Sequence, residues 1–441
     1  MNKTANHAQR VSVQFNRGLP AYVALTLYVL ITSALLLSNT RTSLLTDIIF
    51  VLFLMGMLAI YRARVAGGYK LVLAAVVLLG VLPYFGTRNA FYVELAIQAA
   101  IFVTLALGLN VVVGFAGLLD LGYVAFFAVG AYLWGILSTP QIAQIAPGAS
   151  PVEPWMFYLF LAIGLLVGTI FGILLGFPVL RLRGDYLAIV TLGLGEVIRV
   201  LAVNLDRPVN ITNGSQGIKD VARPPLPDVL RALMPGLGDA QIYQIFIYLM
   251  ALAVLGLTVL VVYRLKNSRV GRAWEAIRED DVAAVAMGVP IVRMKLLAFA
   301  VGASFAGAMG VLFAAKQQFI NPPTFDLLRS IGILAMVILG GMGSIPGAIF
   351  GGTLVTLLDL QILPRIAMEL SALKRQGIGI PDWFDPAQYQ RALFGLLLIL
   401  MMIFRPAGIL PDERRREELS EGEGVEIVET ATSPQPEAAS S

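Results

Sequence analysis

The sequence predicts an all-α polytopic membrane protein, a bundle of about 10–12 transmembrane helices. Of its 441 residues, 58% are hydrophobic, whereas soluble domains contain about 45–50% apolar residues. The mean hydropathy is +0.80. The apolar residues also form runs long enough to cross a bilayer core, which takes about 20 residues per helix.

The predicted crossings divide into an N-terminal group and a core. Three precede residue 86, at Pro20–Ser38, Leu44–Tyr61 and Tyr69–Phe85. The core crossings are Tyr92–Val113, Leu121–Leu137, Trp155–Leu180, Tyr186–Val203, Ile242–Tyr263, Leu296–Ala315, Leu327–Gly341, Ile345–Leu363 and Ala392–Phe404. The runs at 121–137, 327–341 and 392–404 are short for a full span, so each could be a half-helix or begin earlier.

We therefore predict three parts of the chain. Residues 1–85 contain the first three transmembrane helices, and residues 86–411 form the transmembrane core. Residues 412–441 contain nine acids against three arginines and many Ser, Gly, Pro and Ala residues. Such a composition predicts a disordered acidic tail.

The distribution of basic residues predicts the orientation, because cytoplasmic loops carry an excess of Lys and Arg. With a cytoplasmic N-terminus, 19 of the 32 Lys and Arg residues lie in cytoplasmic segments. We therefore expect cytoplasmic N- and C-termini, with external loops at 139–154, 204–241 and 364–390. The first apolar run lacks a convincing small-residue cleavage site, so we expect a retained span.

The composition excludes several kinds of site. The chain has no cysteine and a single histidine, His7, which excludes disulfides, thiolate metal sites and Ser-His or Cys-His catalytic pairs. The phosphate-binding pattern G-x-x-x-x-G-K-[ST] is absent from the sequence. The glycine-rich stretch at 338–352 is therefore predicted to be a tight turn between two spans. We expect no metal and no cofactor in this chain.

The charged segment (residues 264–295) lies between two apolar runs. It contains seven Lys or Arg and four Asp or Glu residues, which keeps it out of hydrocarbon. Its middle, 273–287, has helix-forming composition, and Gly288 and Pro290 supply a stop signal. This predicts a short helix at the cytoplasmic membrane surface. An ordinary basic loop is the alternative that composition alone leaves open.

Few charged residues fall close to or within the core crossings. Asp120 is a lone acid flanked by Gly114, Gly117 and Gly122. A carboxylate beside a glycine-interrupted apolar run is typical of a broken helix that lines a transport site. The alternative is a simple turn at the cytoplasmic surface.

Glu196 and Arg199 lie about 12 residues from the cytoplasmic end of their predicted crossing. At 1.5 Å per residue this is about 18 Å deep, past the middle of a core about 30 Å thick. The spacing i,i+3 allows the two side chains to pair on one helix face. The pair could hold two helices in register, or it could be a polar station for a zwitterion.

Glycines at four-residue intervals predict helix-packing faces. They are Gly164, Gly168, Gly172 and Gly176 in one crossing and Gly343, Gly347 and Gly351 in another. Small residues at this spacing let helix backbones approach closely. We therefore interpret them as packing surfaces and not as ligand sites.

Sequence motifs resemble those of ABC importers. Glu279, Ala283, Ala284 and Gly288 have the spacing E-x-x-x-A-A-x-x-x-G, which resembles the EAA-type loop of importer membrane subunits. VGRAWEAIREDDVAAVAMG, followed by KLLAFAVGASFAGAMG, is similar to the LivM-type permeases of branched-chain amino acid ABC transporters. The similarity extends from about residue 91 to residue 410, through LGLNVVVGFAGLLDLGYVAFFAVGAY, LRGDYLAIVTLGLGEVIR, NGSQGI, VILGGMGS and FGLLLILMMIFRPAGILP.

The resemblance implies that residues 86–411 are an ABC permease core in a bacterial inner membrane, importing Leu, Ile and Val by alternating access. It also implies that residues 1–85, with three extra transmembrane helices, are the N-terminal extension that some members carry. The implied partners are a LivH-type homologous permease, two cytoplasmic ABC ATPases, a periplasmic substrate-binding protein and membrane lipid, with no nucleic acid. ATP and Mg would bind to the ATPases, so no catalytic residue is expected here. The implied ATPase-coupling residues, on a cytoplasmic coupling helix, are Glu279, Asp280, Asp281, Ala283, Ala284 and Gly288. Our candidates for the translocation path are Asn110, Asp120, Glu196 and Arg199.

Other functions compete with this interpretation. Urea, short-chain amides or aromatic acids are alternative cargoes of closely similar permeases. An ion-coupled secondary transporter, with Asp120 and Glu196 titrating, belongs to another class and leaves the predicted helix in the charged segment unexplained. An intramembrane enzyme is disfavoured because H-E-x-x-H and G-x-S-x-G motifs are absent.

Overall fold

The computed structural model describes most of the chain. The described residues are 21–38, 44–63, 65–179, 182, 185–375, 392, 395–396, 399–400, 403–404 and 408–411. Two predicted features, the polar N-terminal tail and the acidic tail at 412–441, lie outside them, and the crossing at 392–404 is described only in part.

The first half of the described chain is a series of helices. They are α1 (Ala21–Ser38), α2 (Leu44–Arg62), α3 (Gly67–Gly86), α4 (Ala90–Phe115), α5 (Val124–Leu137), α6 (Ile142–Ile145) and α7 (Phe157–Val179). Two of them contain π-helical turns, α3 at Val76–Val81 and α4 at Asn110–Phe115. A non-helical link (residues 116–123) joins α4 to α5.

The second half continues with α8 (Asp185–Asn204), α9 (Asp228–Leu233), α10 (Asp239–Lys266), α11 (Arg269–Glu279), α12 (Asp281–Ala286), α13 (Ile291–Gln317), α14 (Leu327–Gly340) and α15 (Ile345–Leu357). α15 passes through a π-helical turn at Leu358–Ile362 into a further helix, Leu363–Arg375. Short 3-10 turns lie at Pro154–Met156, Gly214–Gln216 and Pro322–Phe325.

Within the described residues, ten helices are long and apolar enough to cross a membrane. This confirms the predicted all-α polytopic membrane protein. α5 has only 14 residues, in agreement with the short run predicted at 121–137. The helix after residue 345 was predicted to end at Leu363, and this is wrong, since it continues to Arg375. Residues 363–375 mix charged and apolar side chains, so hydropathy alone ended the span too early.

The chain divides into two compact units. The first comprises residues 1–100, 225–253 and 356–394, and contains a buried polar cluster around Asp47. Asp47 accepts hydrogen bonds from Tyr92 Oη at 2.6 Å and from Gln361 Nε2 at 2.8 Å. Arg365 Nε lies 3.2 Å from the second carboxylate oxygen. Because a lone carboxylate in a membrane helix is costly, these partners stabilise it. The predicted boundary at residue 85 stays a prediction.

The second unit comprises residues 101–224, 254–355 and 395–441, and its core is a close contact of α5, α7 and α13. A Cβ on Gly130 would lie 1.9 Å from the carbonyl oxygen of Gly307, and one on Gly168 would lie 2.3 Å from that of Ala303. A Cβ on Gly307 would lie 2.3 Å from the carbonyl oxygen of Gly164. The helix backbones therefore touch, as small residues at four-residue spacing allow.

The second glycine series is divided between two environments. Gly347 and Gly351 lie on α15, where a Cβ would approach the carbonyl oxygens of Gly340 and Met336 on α14 at 2.7 and 2.1 Å. Gly343 precedes α15, in a turn with φ +81°, so it does not lie on the helix face that its spacing suggested. A left-handed φ of this kind favours glycine for a conformational reason and not for helix packing.

An external loop, by the predicted orientation, is held against the ends of α5 and α13. Its strand β1 (Ile218–Lys219) pairs antiparallel with β2 (Phe319–Ile320), which directly follows α13. Trp134 Nε1 of α5 donates to the carbonyl oxygen of Ala222 at 3.0 Å, and Gln141 Nε2 donates to that of Asn210. Residues 205–224 are therefore fixed by backbone and side-chain contacts.

Candidate functional site

The charged segment contains two helices, α11 and α12, where we predicted a single helix at 273–287. The break lies at Asp280, with φ −155° and ψ 113°. Asp280 Oδ1 accepts hydrogen bonds from the backbone N–H groups of Val282 at 2.7 Å and Ala283 at 3.1 Å. The carboxylate therefore caps the N-terminus of α12. The prediction of one helix is wrong because an Asp side chain competes with helical backbone bonding.

The first of these helices, α11, is anchored by its apolar side. Ser268 caps its N-terminus, with Oγ accepting from the N–H groups of Val270 and Gly271. Trp274 is fully buried, and its Nε1 donates to the carbonyl oxygen of Met294 at 2.8 Å. Ile277 is also buried. α11 is therefore packed firmly against the start of α13.

The predicted ATPase-coupling residues occupy different environments. Glu279, Asp280, Ala283 and Gly288 are exposed. Asp281 instead forms an ion pair with Lys295 Nζ at 2.7 Å, and Ala284 is only 2% exposed. Gly288 follows α12 with φ +82°, a conformation that glycine adopts without strain. Asp281 and Ala284 therefore anchor α12, and the exposed residues remain free to contact another protein.

α12 also presents an apolar surface that the motif does not contain. This α12 patch consists of Val282, Val285 and Met287, which are 66%, 58% and 85% exposed. The motif does not reveal this patch, because the E-x-x-x-A-A-x-x-x-G spacing identifies only small and acidic positions. The signal available in the sequence was three large apolar residues next to the acids of a charged segment.

Asp120 lies in the link between α4 and α5 and is 2% exposed. Its Oδ1 accepts a hydrogen bond from the N–H of Gly122 at 2.9 Å. Its Oδ2 has no hydrogen-bond partner among the described residues. Of the two alternatives from the sequence, this burial fits a broken helix better than an open surface turn.

Hydrogen bonds to three helices hold the link and the first residue of α5. These bonds join Leu121 N to Thr191 Oγ1 of α8 at 3.1 Å, Tyr123 Oη to the carbonyl oxygen of Gly302 of α13 at 2.8 Å, and Val124 N to Ser330 Oγ of α14 at 3.1 Å. Gly302 lies about 11 residues into α13, or about 17 Å along its axis. The C-terminal end of the link is therefore bonded to the middle part of α13, a helix long and apolar enough to cross a membrane.

Glu196 and Arg199 form an ion pair within α8. Arg199 Nε lies 2.9 and 3.0 Å from the two carboxylate oxygens of Glu196, and Arg199 Nη2 also donates to Oε1. Their side chains are 31% exposed for Arg199 and 43% exposed for Glu196. Both members of the pair lie on one helix, and the two roles offered by the sequence, a structural pair or a polar station, stay predictions.

The pair borders an exposed surface of α8. This α8 face consists of Tyr186, Ile189, Gly193, Val197 and Val200. Ionisable side chains at membrane depth face a protein interior or a water-filled cavity, because hydrocarbon solvates them poorly. The α8 face with its ion pair thus has the character of a surface that a further protein or a water-filled path covers.

Asn110 is fully buried at the start of the π-helical turn of α4. Its Oδ1 accepts from the N–H of Gly343 at 2.9 Å, and its Nδ2 lies 3.4 Å from the carbonyl oxygen of Ser344. Both ends of the amide are therefore used to hold the glycine-rich turn. The structure places Asn110 at this turn, whereas Asp120 lies in the link beside Leu121 and Gly122, which contact α8.

Comparisons with known proteins agree with this architecture. The family model described as branched-chain amino acid transport system / permease component matches residues 91–402. The high-affinity branched-chain amino acid transport system permease protein LivM of Salmonella typhimurium is 38% identical over 368 residues, covering 80% of this chain and 78% of the relative. LivM of Escherichia coli is 38% identical over 367 residues, covering 80% and 77%.

A second kind of relative is more distant. The permease protein LivH of the same transport system in Escherichia coli is 26% identical over 320 residues, covering 70% of this chain and 91% of LivH. No solved structure matches this chain significantly. Since the family model spans well over half of the sequence, the chain belongs to the family of branched-chain amino acid transport system permease components.

Proposed function

We propose that this chain is the transmembrane permease subunit of an ATP-driven ABC importer that carries Leu, Ile and Val across the bacterial inner membrane. Family membership supports the transport function, and the names of the LivM relatives support the cargo. The main support for the ATP-driven mechanism is the exposed α12 patch, which lies on a charged segment that is firmly anchored to the permease. Exposed apolar surface outside the membrane is typical of a protein interface.

The proposed complex contains four kinds of subunit. A LivH-type permease, homologous to this chain, forms the second half of the membrane part. Two cytoplasmic ATPases bind ATP and Mg, because the sequence here has no phosphate-binding loop. A periplasmic binding protein delivers the substrate to the external side. In this arrangement both termini of the chain are cytoplasmic.

The ATPases dock on α12 and the exposed end of α11. Glu279 and the α12 patch supply one acidic and three apolar contacts. Ala284 and the Asp281–Lys295 ion pair hold α12 on the permease. Closure of the ATPases thus displaces the charged segment as a unit, and the membrane part alternates between inward and outward openings.

The α8 face lies against the second permease in this proposal. An ion pair about 18 Å deep is stabilised when a partner helix or water replaces hydrocarbon around it. A zwitterionic amino acid carries one ammonium and one carboxylate, which complement Glu196 and Arg199. These two residues therefore bind and orient the substrate as it passes between the permeases.

Glu196→Gln and Arg199→Gln test this role as a double-mutant cycle. We expect each single change to lower the initial rate of leucine uptake, because each residue contacts a different end of the substrate. We expect the double change to lower it at least as much as the more severe single change, although the direct contact between the two residues keeps their effects from being strictly additive. Uptake is measured at equal amounts of membrane-inserted subunit. If the double variant is milder than either single variant, the two residues only neutralise each other's charge and do not bind the substrate.

The proposed function is tested by uptake of radiolabelled leucine, with urea in parallel, into proteoliposomes that contain this chain and its partners. We expect leucine uptake that requires hydrolysable ATP. Uptake of urea but not of leucine would agree with the proposed ATP-driven mechanism and contradict the proposed cargo. Leucine uptake driven by an ion gradient without ATPases would overturn the mechanism.

A further inference from the structure

Two cations of the charged segment lie at the end of α4, and one of them, Arg278, caps it. Arg278 Nη1 donates to the carbonyl oxygen of Gly114 at 2.8 Å. Lys266 Nζ donates to the carbonyl oxygen of Gly343 at 3.0 Å and lies 5.5 Å from the centre of the Phe115 ring. The last carbonyls of a helix lack helical partners, and positive charge there is favoured by the helix dipole. The charged segment therefore stabilises the point at which the broken helix begins.

The surrounding backbone leaves no free space. The capping node consists of Asn110, Gly114, Gly117, Lys266, Arg278 and Gly343. A Cβ on Gly114 would lie 2.0 Å from Asn110 Oδ1, and one on Gly117 would lie 2.9 Å from Arg278 Cγ. A Cβ on Gly343 would lie 3.1 Å from Arg278 Nη1. A displacement of α11 must therefore move the backbone of residues 114–117 or break the Arg278 hydrogen bond.

The opposite end of the link contacts α8 just as closely. The N–H of Leu121 donates to Thr191 Oγ1. A Cβ on Gly122 would lie 2.1 Å from the carbonyl oxygen of Thr191, and one on Gly195 would lie 2.8 Å from Gly122 Cα. Gly195 directly precedes Glu196. The link thus contacts α11 at one end and the helix of the ion pair at the other.

We propose that Arg278 is a positioning residue that transmits displacement of α11 to the link, and through the link to α8 and its ion pair. The proposal rests on the proposed function, because it takes the ATPases to act on the charged segment. The guanidinium is a planar donor with fixed directions, whereas a lysine ammonium keeps the charge on a flexible stem. Charge alone therefore does not replace the connection that Arg278 makes.

The test uses the complete transporter in proteoliposomes, with ATP hydrolysis and leucine uptake measured on the same preparation. Arg278→Gln is expected to assemble and hydrolyse ATP while the leucine transported per ATP falls about tenfold, a typical size for coupling between sites. Arg278→Lys is expected to give an intermediate ratio. Arg264→Gln, which removes the same charge from an exposed position at the end of α10, is the matched control and should keep the wild-type ratio.

The ratio separates transmission from simple destabilisation. If uptake and hydrolysis fall together in Arg278→Gln with an unchanged ratio, Arg278 is only structural and the proposal is overturned. If Arg278→Gln does not assemble, Arg278→Lys decides, since a lowered ratio supports transmission and an unchanged ratio excludes it. Absence of ATP-dependent leucine uptake by the wild-type complex would instead overturn the proposed function.

Discussion

Val285→Asp is expected to abolish ATP-dependent uptake while the subunit remains inserted in the membrane. Val285 is 58% exposed at the centre of the α12 patch, so the free subunit tolerates a carboxylate there. Against an ATPase surface the same carboxylate becomes a buried, unpaired charge, which costs about 3–5 kcal/mol. This predicts a loss of uptake of about a hundredfold or more, measured together with co-purification of the ATPases.

Val285→Leu is the matched control, because it keeps the patch apolar and should retain uptake and co-purification. Normal coupled uptake by Val285→Asp would mean that α12 is not the docking surface. Ala284, although it belongs to the sequence motif, is unsuitable for this test. It is buried against the permease itself, so a large residue there would disturb packing as well as docking.

Gly307→Leu is expected to prevent the subunit from accumulating in the membrane. Gly307 lies where α5, α7 and α13 meet, and a Cβ there would lie 2.3 Å from the carbonyl oxygen of Gly164. Overpacking a core typically costs about 1–3 kcal/mol, and a clash with rigid backbone relaxes less easily than one with side chains. The measurement is the amount of subunit in the membrane fraction and its thermal stability in detergent.

The chain offers a matched control for this change. Gly256 lies on α10, and a Cβ there would have nothing within 4 Å. Gly256→Leu adds the same side chain to an apolar helix and should leave abundance and stability close to wild type. Equal abundance of the two variants would show that the close helix contact at Gly307 does not determine folding.

The transmembrane helices could be predicted well from the sequence, because length and hydropathy follow directly from the bilayer thickness. α10 was predicted at 242–263 and is observed at Asp239–Lys266, with its polar ends beyond the apolar run. The errors fall where polar residues act locally. Asp280 divides the helix of the charged segment by capping, and the amphipathic continuation of α15 carries no span signal.

The candidate site could be predicted only in part. Asp120, Glu196 and Arg199 attract notice as charges in or beside apolar runs, which is a strong sequence signal. Arg278 gives no such signal, because a basic residue in a cytoplasmic loop is already explained by topology. Arg278 donates to the backbone carbonyl of Gly114, which is distant in the chain. Every residue has a backbone carbonyl, so the residue type at position 114 does not indicate this hydrogen bond.

In the proposed importer, the loop at 205–224, which is external by the predicted orientation, has a consequence for the rate at which a binding protein can deliver its cargo. The β1–β2 pairing and the Trp134 hydrogen bond fix this loop before any partner arrives. A prefolded surface does not lose conformational freedom at each encounter, so association does not have to include an ordering step. A binding protein that must associate and dissociate once per transport cycle can therefore have both a high association rate and a high dissociation rate, with modest affinity and a short residence time.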